Sequence, residues 1–260
     1  MSGLPDRSLS RCMWSGERGA EMLDPILDVL FPQGACCICR KTGRYGSRQP
    51  WCRECLDTML DLQQSGSNCE KCGKYLAPGT TMCSDCRSKP PRFDIARAVG
   101  PYEDPYRIST KVLKFMGKKY VALQMGQMMA DKIKSEPRFG QIDMIVPVPI
   151  SKNSLQVRGF NQTELLGRKI SKELGVKMEC GVLVRTKDTP HQTELSKEER
   201  ERNLACVFQV TDAAKVEGKN ILLVDDVYTT GATSKECTRA LLDAGAGRVC
   251  VITWATGRGF

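Results

Sequence analysis

The thirteen residues 221–233, ILLVDDVYTTGAT, constrain the fold more than any other stretch of this chain. Four apolar residues, Ile221 to Val224, have the composition and length of a buried strand. Two adjacent carboxylates, Asp225 and Asp226, follow where that strand is predicted to end. The next turn, Tyr228-Thr229-Thr230-Gly231-Ala232-Thr233, is small, hydroxylated and flexible. It leads into a predicted helix with Cys237, Ala240, Leu241 and Ala244 on one face. A strand, a Gly turn and a helix N-terminus in that order predict an anion cradle. Backbone N–H groups and Thr hydroxyls can hold a phosphate there, and the helix dipole favours its charge. Carboxylates just before such a cradle suit sugar hydroxyls, or a Mg²⁺ with its waters. No GxxxxGK[ST] is present, so this is not a P-loop.

Cysteine usage is the second strong constraint. Of 14 cysteines, nine fall between Cys36 and Cys86, and eight of these form CxxC pairs. The spacing is Cys36-x2-Cys39-x12-Cys52-x2-Cys55, then thirteen residues, then Cys69-x2-Cys72-x10-Cys83-x2-Cys86. Two thiolates two residues apart can share one tetrahedral ion, so four pairs predict two structural Zn²⁺ sites. The sequential assignment has the character of a double zinc ribbon, while a cross-braced set (36/39 with 69/72) also satisfies the spacing. Gly73 suits the tight turn of a zinc knuckle. A region this short and polar needs its metal to supply much of its folding free energy. Cys37 stands one residue from Cys39 and is left out of the ligand set. Cys12, Cys180, Cys206, Cys237 and Cys250 read as small apolar residues, four of them buried. A catalytic cysteine is not expected, because His191 is the chain's one histidine.

The chain has room for one α/β domain and a small appendage. No apolar run reaches the roughly 18–20 residues needed to span a bilayer. Residues 1–21 carry charges throughout and lack an apolar signal core, so a cytoplasmic protein is expected. Net charge is +9. From Arg87 to Tyr120 there are nine Lys or Arg against Asp94, Glu103 and Asp104. Such an excess favours polyanions, single-stranded nucleic acid among them, or else is a solvated basic surface.

Residues 1–21 are expected to be disordered, and Met22 is an alternative start of translation to Met1. Residues 22–90 are predicted to hold a short helix (Ile26, Leu27, Leu30 and Phe31 on one face) and the zinc region, with Lys89-Pro90-Pro91 as linker. Residues 91–260 then read as an α/β domain. Strands are predicted at 95–102, 142–149, 182–184, 206–210 and 249–253, with helical spacing over 106–134 and 162–174. The alternation argues for a parallel sheet.

The stretch 221–233 closely resembles the phosphoribosyl-pyrophosphate (PRPP) motif of type I phosphoribosyltransferases at all thirteen positions. The resemblance implies that Asp225 and Asp226 face ribose hydroxyls, that Thr229, Thr230, Gly231, Ala232 and Thr233 wrap the 5′-phosphate, and that Tyr228 belongs to the same PRPP-binding set. That family places a pyrophosphate loop after an early strand, and SKNSLQVRGFNQ occupies this position. Arg158 there can contact a diphosphate, and Gly159 lets the backbone approach it. Asn161 suits the cap of the next helix. Arg158 and Asn161 serving only to organise the loop is the plainer reading. The polar segment 185–203 fits a cover over the phosphate site through Gln192, Arg200 and Asn203, or a solvated helix opened by a Ser196/Glu199 capping box.

VPVP (146–149), RGFNQ (158–162), Gln192-x2-Leu195-Ser196, Arg200-x2-Asn203-Leu204 and DDVYTTGAT together resemble the ComF family. There a cysteine-rich module precedes a phosphoribosyltransferase-like domain, and members are associated with DNA uptake in competent bacteria. The resemblance implies PRPP binding with Mg²⁺, handling of single-stranded DNA, and partners in the competence machinery. A phosphoribosyltransferase acting on a small acceptor and a PRPP-sensing regulator are the competing readings. The chain runs only four residues past Thr256, which leaves little for a hood over a nucleobase.

Overall fold

The computed structural model describes residues 33–45, 49–186 and 207–259. The predicted leader, the helix around Ile26, Cys12, Cys206 and the cover-loop residues Gln192, Arg200 and Asn203 lie outside the described residues. Among those described, no helix is long and apolar enough to cross a membrane.

The first cysteine module is an antiparallel pair, β1 (Gln33–Ala35) and β2 (Thr42–Tyr45), followed by helix α1 (Arg53–Gln64). Cys52 caps α1, its sulfur accepting from the Cys55 N–H at 3.5 Å. The second module repeats the plan with β3 (Ser67–Asn68), β4 (Tyr75–Leu76) and a short α2 (Ser84–Ser88) opened by Cys83.

Four parallel strands form the main sheet: β5 (Ala96–Pro101), β6 (Met144–Pro147), β9 (Asn220–Tyr228) and β10 (Arg248–Thr256). Their order is β5-β10-β9-β6. A separate antiparallel pair, β7 (Leu183–Arg185) and β8 (Phe208–Val210), lies outside it. The helices are α3 (Tyr106–Phe115), α4 (Val121–Lys134), α5 (Lys152–Arg158), α6 (Gln162–Leu174), α7 (Ala213–Val216) and α8 (Ala232–Asp243).

Side chains alternate across the central strands, so the sheet carries two cores. Leu222, Val224, Ile252 and Trp254 face helices α3, α4 and α6, together with Trp51, Cys52 and Met59 of the first module. Ile221, Leu223, Val249 and Val251 face α8 and β8, together with all four cysteines of the second module. Each cysteine module therefore completes a different face of the sheet. On the first face, Trp51 stacks on Trp254 at 5.8 Å, and the Tyr106 hydroxyl donates to the Met59 carbonyl at 2.9 Å. On the second module, the buried Arg97 donates to the Glu70 carbonyl at 3.0 Å and pairs with Glu136 at 2.8 Å.

Several local expectations are corrected. Strand β9 does not end before the carboxylates but continues through them to Tyr228, because β10 runs beside it as far as Thr256. Helical spacing over 106–134 breaks into two helices at Gly117, whose φ of 63° no helical residue adopts. Phe115 and Leu123, on the apolar spacing of these helices, are nonetheless 69% and 48% exposed. The polar loop after β6 contains α5, capped by Ser151 at one end and by left-handed Gly159 at the other.

Candidate functional site

Because β9 continues through the acidic pair, the two carboxylates fall on opposite faces of the sheet. Asp226 points toward α3 and α6. There the Lys114 ammonium donates to one carboxylate oxygen at 2.8 Å, and the Gln162 amide donates to the other at 2.7 Å. The Arg158 guanidinium donates in turn to the Gln162 side-chain oxygen at 3.0 Å, and lies 5.3 Å from the Phe115 ring centroid. Residues from α3, α5, α6 and β9 thus converge on one carboxylate. Asp225 is buried on the other face, accepting from the Asp226 backbone N–H at 2.8 Å. Burial, reinforced by the Asp226 charge, pushes its carboxyl up to about 7.

The turn after β9 has the form of an anion cradle. Thr229 is exposed and Thr230 half-buried, the Thr230 hydroxyl accepting from the Ala232 N–H at 3.4 Å. Gly231 caps α8 with φ 76° and ψ 6°, and the first-turn N–H groups of α8 have no helical acceptor. A Cβ on Gly231 would stand 2.2 Å from the Tyr228 hydroxyl, so the glycine also makes room for that ring. Tyr228 itself is buried, edge-on to Phe93 at 6.1 Å in the core that holds the second cysteine cluster. Its ring packs against the turn at Gly231.

On the opposite rim, Asn161 caps α6, its side-chain oxygen accepting from the Thr163 N–H at 3.1 Å. The Asn161 amide also donates to the Val148 carbonyl at 3.2 Å. Asn161 accordingly organises the loop, whereas Arg158 is turned toward the Asp226 network. The residue that sequence reasoning missed is Lys114. Its charge was counted with a basic strip, yet 112 positions separate it from the carboxylate it meets. Other cations of the strip are also in ion pairs: Arg92 with Asp243 at 2.6 Å, Arg97 with Glu136 at 2.8 Å and Arg107 with Asp104 at 3.0 Å.

The cysteines resolve into the sequential sets Cys36, Cys39, Cys52, Cys55 and Cys69, Cys72, Cys83, Cys86, each within 4.8 Å of one another. This excludes the cross-braced arrangement. A tetrahedron with Zn–S bonds of about 2.3 Å has edges of about 3.8 Å. The sulfurs of Cys36 and Cys55 stand 3.9 Å apart, and those of Cys39 and Cys52, and of Cys72 and Cys83, 3.6 Å apart. Backbone N–H groups of Cys52 and Cys83 donate to the Cys36 and Cys69 sulfurs at 3.3 and 3.4 Å, as thiolates require. The donor sets fit structural zinc. Cys37 takes no part, donating instead to the Pro50 carbonyl at 2.9 Å.

A double zinc ribbon domain model matches residues 26–87, and a phosphoribosyl transferase domain model matches residues 161–258. The latter span includes Gln162 and the acidic pair but neither Lys114 nor Arg158. DNA utilization protein YhgH of Salmonella typhimurium is 30% identical over 226 residues, covering 86% of this chain and 97% of that protein. Competence protein F of Haemophilus influenzae is 27% identical over 194 residues, 73% of this chain and 84% of its own length. Competence protein ComFC of Bacillus subtilis is 28% identical over 204 residues, 75% and 78% of the two chains. The similarity to YhgH runs through both the cysteine region and the α/β domain, and the chain belongs to the ComF family.

Proposed function

We propose that this protein binds PRPP with Mg²⁺ at the C-terminal ends of β6 and β9 and handles single-stranded DNA in DNA uptake. The observation that carries the reading is the convergence of Asp226, Lys114, Gln162 and Arg158 beside the Thr229–Thr233 turn. Ligands of open α/β sheets lie outside the carboxyl ends of the strands. The turn and the N-terminus of α8 would hold the 5′-phosphate, Asp226 the sugar hydroxyls, and Arg158 the diphosphate. A Mg²⁺ carried by the diphosphate would be held through Asp226, where it would neutralise charge on the leaving oxygens. Two Zn²⁺ ions in the cysteine clusters would serve structure alone.

The DNA part of the reading draws support from the rim. Phe115 and Val157 are 69% and 79% exposed, and the Arg158 guanidinium lies over the Phe115 ring. An exposed ring with a cation on it suits an unpaired base, which stacks without sequence preference. The names of the relatives, DNA utilization and competence proteins, point the same way.

Calorimetric titration of the full chain with PRPP in Mg²⁺ tests the first part. Binding is expected, weakened on the order of tenfold or more by Asp226→Asn, which removes a charged acceptor. A wild-type protein that takes up no PRPP would sink the reading. Transfer to an acceptor is a second reading, favoured by the position of Arg158 beside Asp226. Pyrophosphate release, measured with and without single-stranded DNA, separates transfer from binding alone.

A further inference from the structure

Both oxygens of the Asp226 carboxylate are engaged by the protein's own donors. The Lys114 ammonium lies 2.8 Å from both oxygens, the Gln162 amide donates to one of them at 2.7 Å, and the residue is 5% exposed. Lone pairs remain on a carboxylate with two donors, but at this burial the way in for a sugar hydroxyl or a metal is the place of a donor that can move aside. The two donors are not equally held. Gln162 is 4% exposed in the first turn of α6 and is fixed from behind by Arg158. The Lys114 side chain is 20% exposed, in the last turn of α3, just before the chain breaks at Gly117. Lysine also places a compact charge on a flexible four-carbon stem with three donors, which can change partners without moving the backbone.

Charge bookkeeping sets the direction of that change. An ionised carboxylate this deeply buried needs a cation, and removing one partner of such a pair leaves an uncompensated charge. Lys114 can leave only as another cation or a set of donors arrives. A diphosphate ligand brings both the replacement, in its Mg²⁺ and hydroxyls, and an excess of negative charge near Arg158.

We propose that Lys114 is a second ligand-binding cation of this site, neutralising Asp226 in the free protein and turning to the diphosphate when the ligand's Mg²⁺ or hydroxyls replace it on the carboxylate. The proposal rests on the PRPP reading above. Lys114 and Mg²⁺ then compete for one carboxylate, so the site admits the metal together with its diphosphate and resists the bare ion.

Two variants test it in the full chain. Lys114→Met removes the ammonium and keeps the stem, with the hazard that an unpartnered Asp226 unfolds the protein. Lys114→Gln keeps a neutral donor for Asp226 and loses only the charge, a milder change than Lys114→Met; thermal melting and zinc content check that it folds. PRPP affinity is titrated calorimetrically across a range of Mg²⁺ concentrations. For Lys114→Gln, affinity at saturating Mg²⁺ is expected to fall on the order of tenfold, the worth of a lost charge-assisted contact. The half-saturating Mg²⁺ is expected to fall as well, since the competitor for Asp226 is gone. General damage to the site would raise the Mg²⁺ requirement, so opposite movements distinguish the two. Wild-type binding with a Lys114→Gln affinity unchanged within about twofold overturns the role of Lys114 alone. So does a Mg²⁺ requirement that rises. A wild type that does not bind PRPP overturns the parent reading and this proposal with it.

Discussion

Asp225 and Asp226 are chemically identical neighbours with different environments, and the strand decides which is which. Asp226 faces a lysine and a glutamine, both of which donate to it. Asp225 faces the opposite core, where burial and its neighbour's charge push its carboxyl from 3.8 up to about 7. The sign of the consequence follows from proton linkage. The folded protein holds this proton more tightly than the unfolded chain does, so stability falls as pH rises from about 4 to about 7. Asp225→Asn keeps an oxygen for the Asp226 N–H and removes the ionisation. The variant is expected to melt at higher temperature than wild type at pH 8, with the gain shrinking at pH 5. Melting curves at the two pH values check this, and an equal shift at both would exonerate Asp225 as the titrating group.

Among the elements, the two cysteine modules matter most, because each is built into one face of the sheet. The second touches the site indirectly. Phe93 and Tyr228 lie in one core with Cys69, Cys72, Cys83 and Cys86, and the Tyr228 ring underpins Gly231. The first module sets Trp51 against Trp254, in contact with α3, the helix that bears Lys114. Stripping the metal by chelation is therefore expected to lower the melting temperature of the α/β core and to weaken PRPP binding, besides unfolding the ribbons. Tryptophan fluorescence should report it, since Trp51 adjoins Cys52 and stacks on Trp254. Cys69→Ser, which spoils only the second cluster, should impair PRPP binding while about one equivalent of zinc remains. A chelated protein whose core melting and PRPP affinity match the metal-loaded form would mean that the modules merely lean on the sheet.

At the scale of the whole molecule, a net charge of +9 still favours a polyanion, although Arg92, Arg97, Arg107 and Lys114 of its most basic stretch are engaged in ion pairs. Binding of an unstructured oligonucleotide should weaken steeply with salt, by a slope of about −0.7 per phosphate contact, and depend little on base sequence. Phe115→Ala should weaken it by about tenfold, as the loss of one stacked base does, while PRPP affinity holds. Fluorescence anisotropy with a labelled oligothymidine measures both. No binding at low salt would remove DNA from the proposed function and leave the PRPP-dependent enzyme.

Contacts between near neighbours in the chain were legible in the residues alone. The CxxC pairs announced their metal clusters because two ligands of each ion lie within one turn of backbone. The motif 221–233 announced strand, turn and helix because the elements that make the cradle are contiguous. The helix expected near 162–174 and its Asn161 cap were legible as well. What no local pattern carried was the end of β9, since the length of a strand depends on the neighbour it pairs with, and β10 begins twenty residues after it. Nor did any pattern carry the assignment of the cysteine modules to opposite faces, or the meeting of Lys114 with Asp226. A charge on a helix reads the same whether its partner is water or a carboxylate 112 positions away. The sequence by itself determined which chemical groups this protein owns and the local shapes that present them. Only the tertiary structure decided which of those groups meet, because burial and pairing depend on what the rest of the chain brings to the same place.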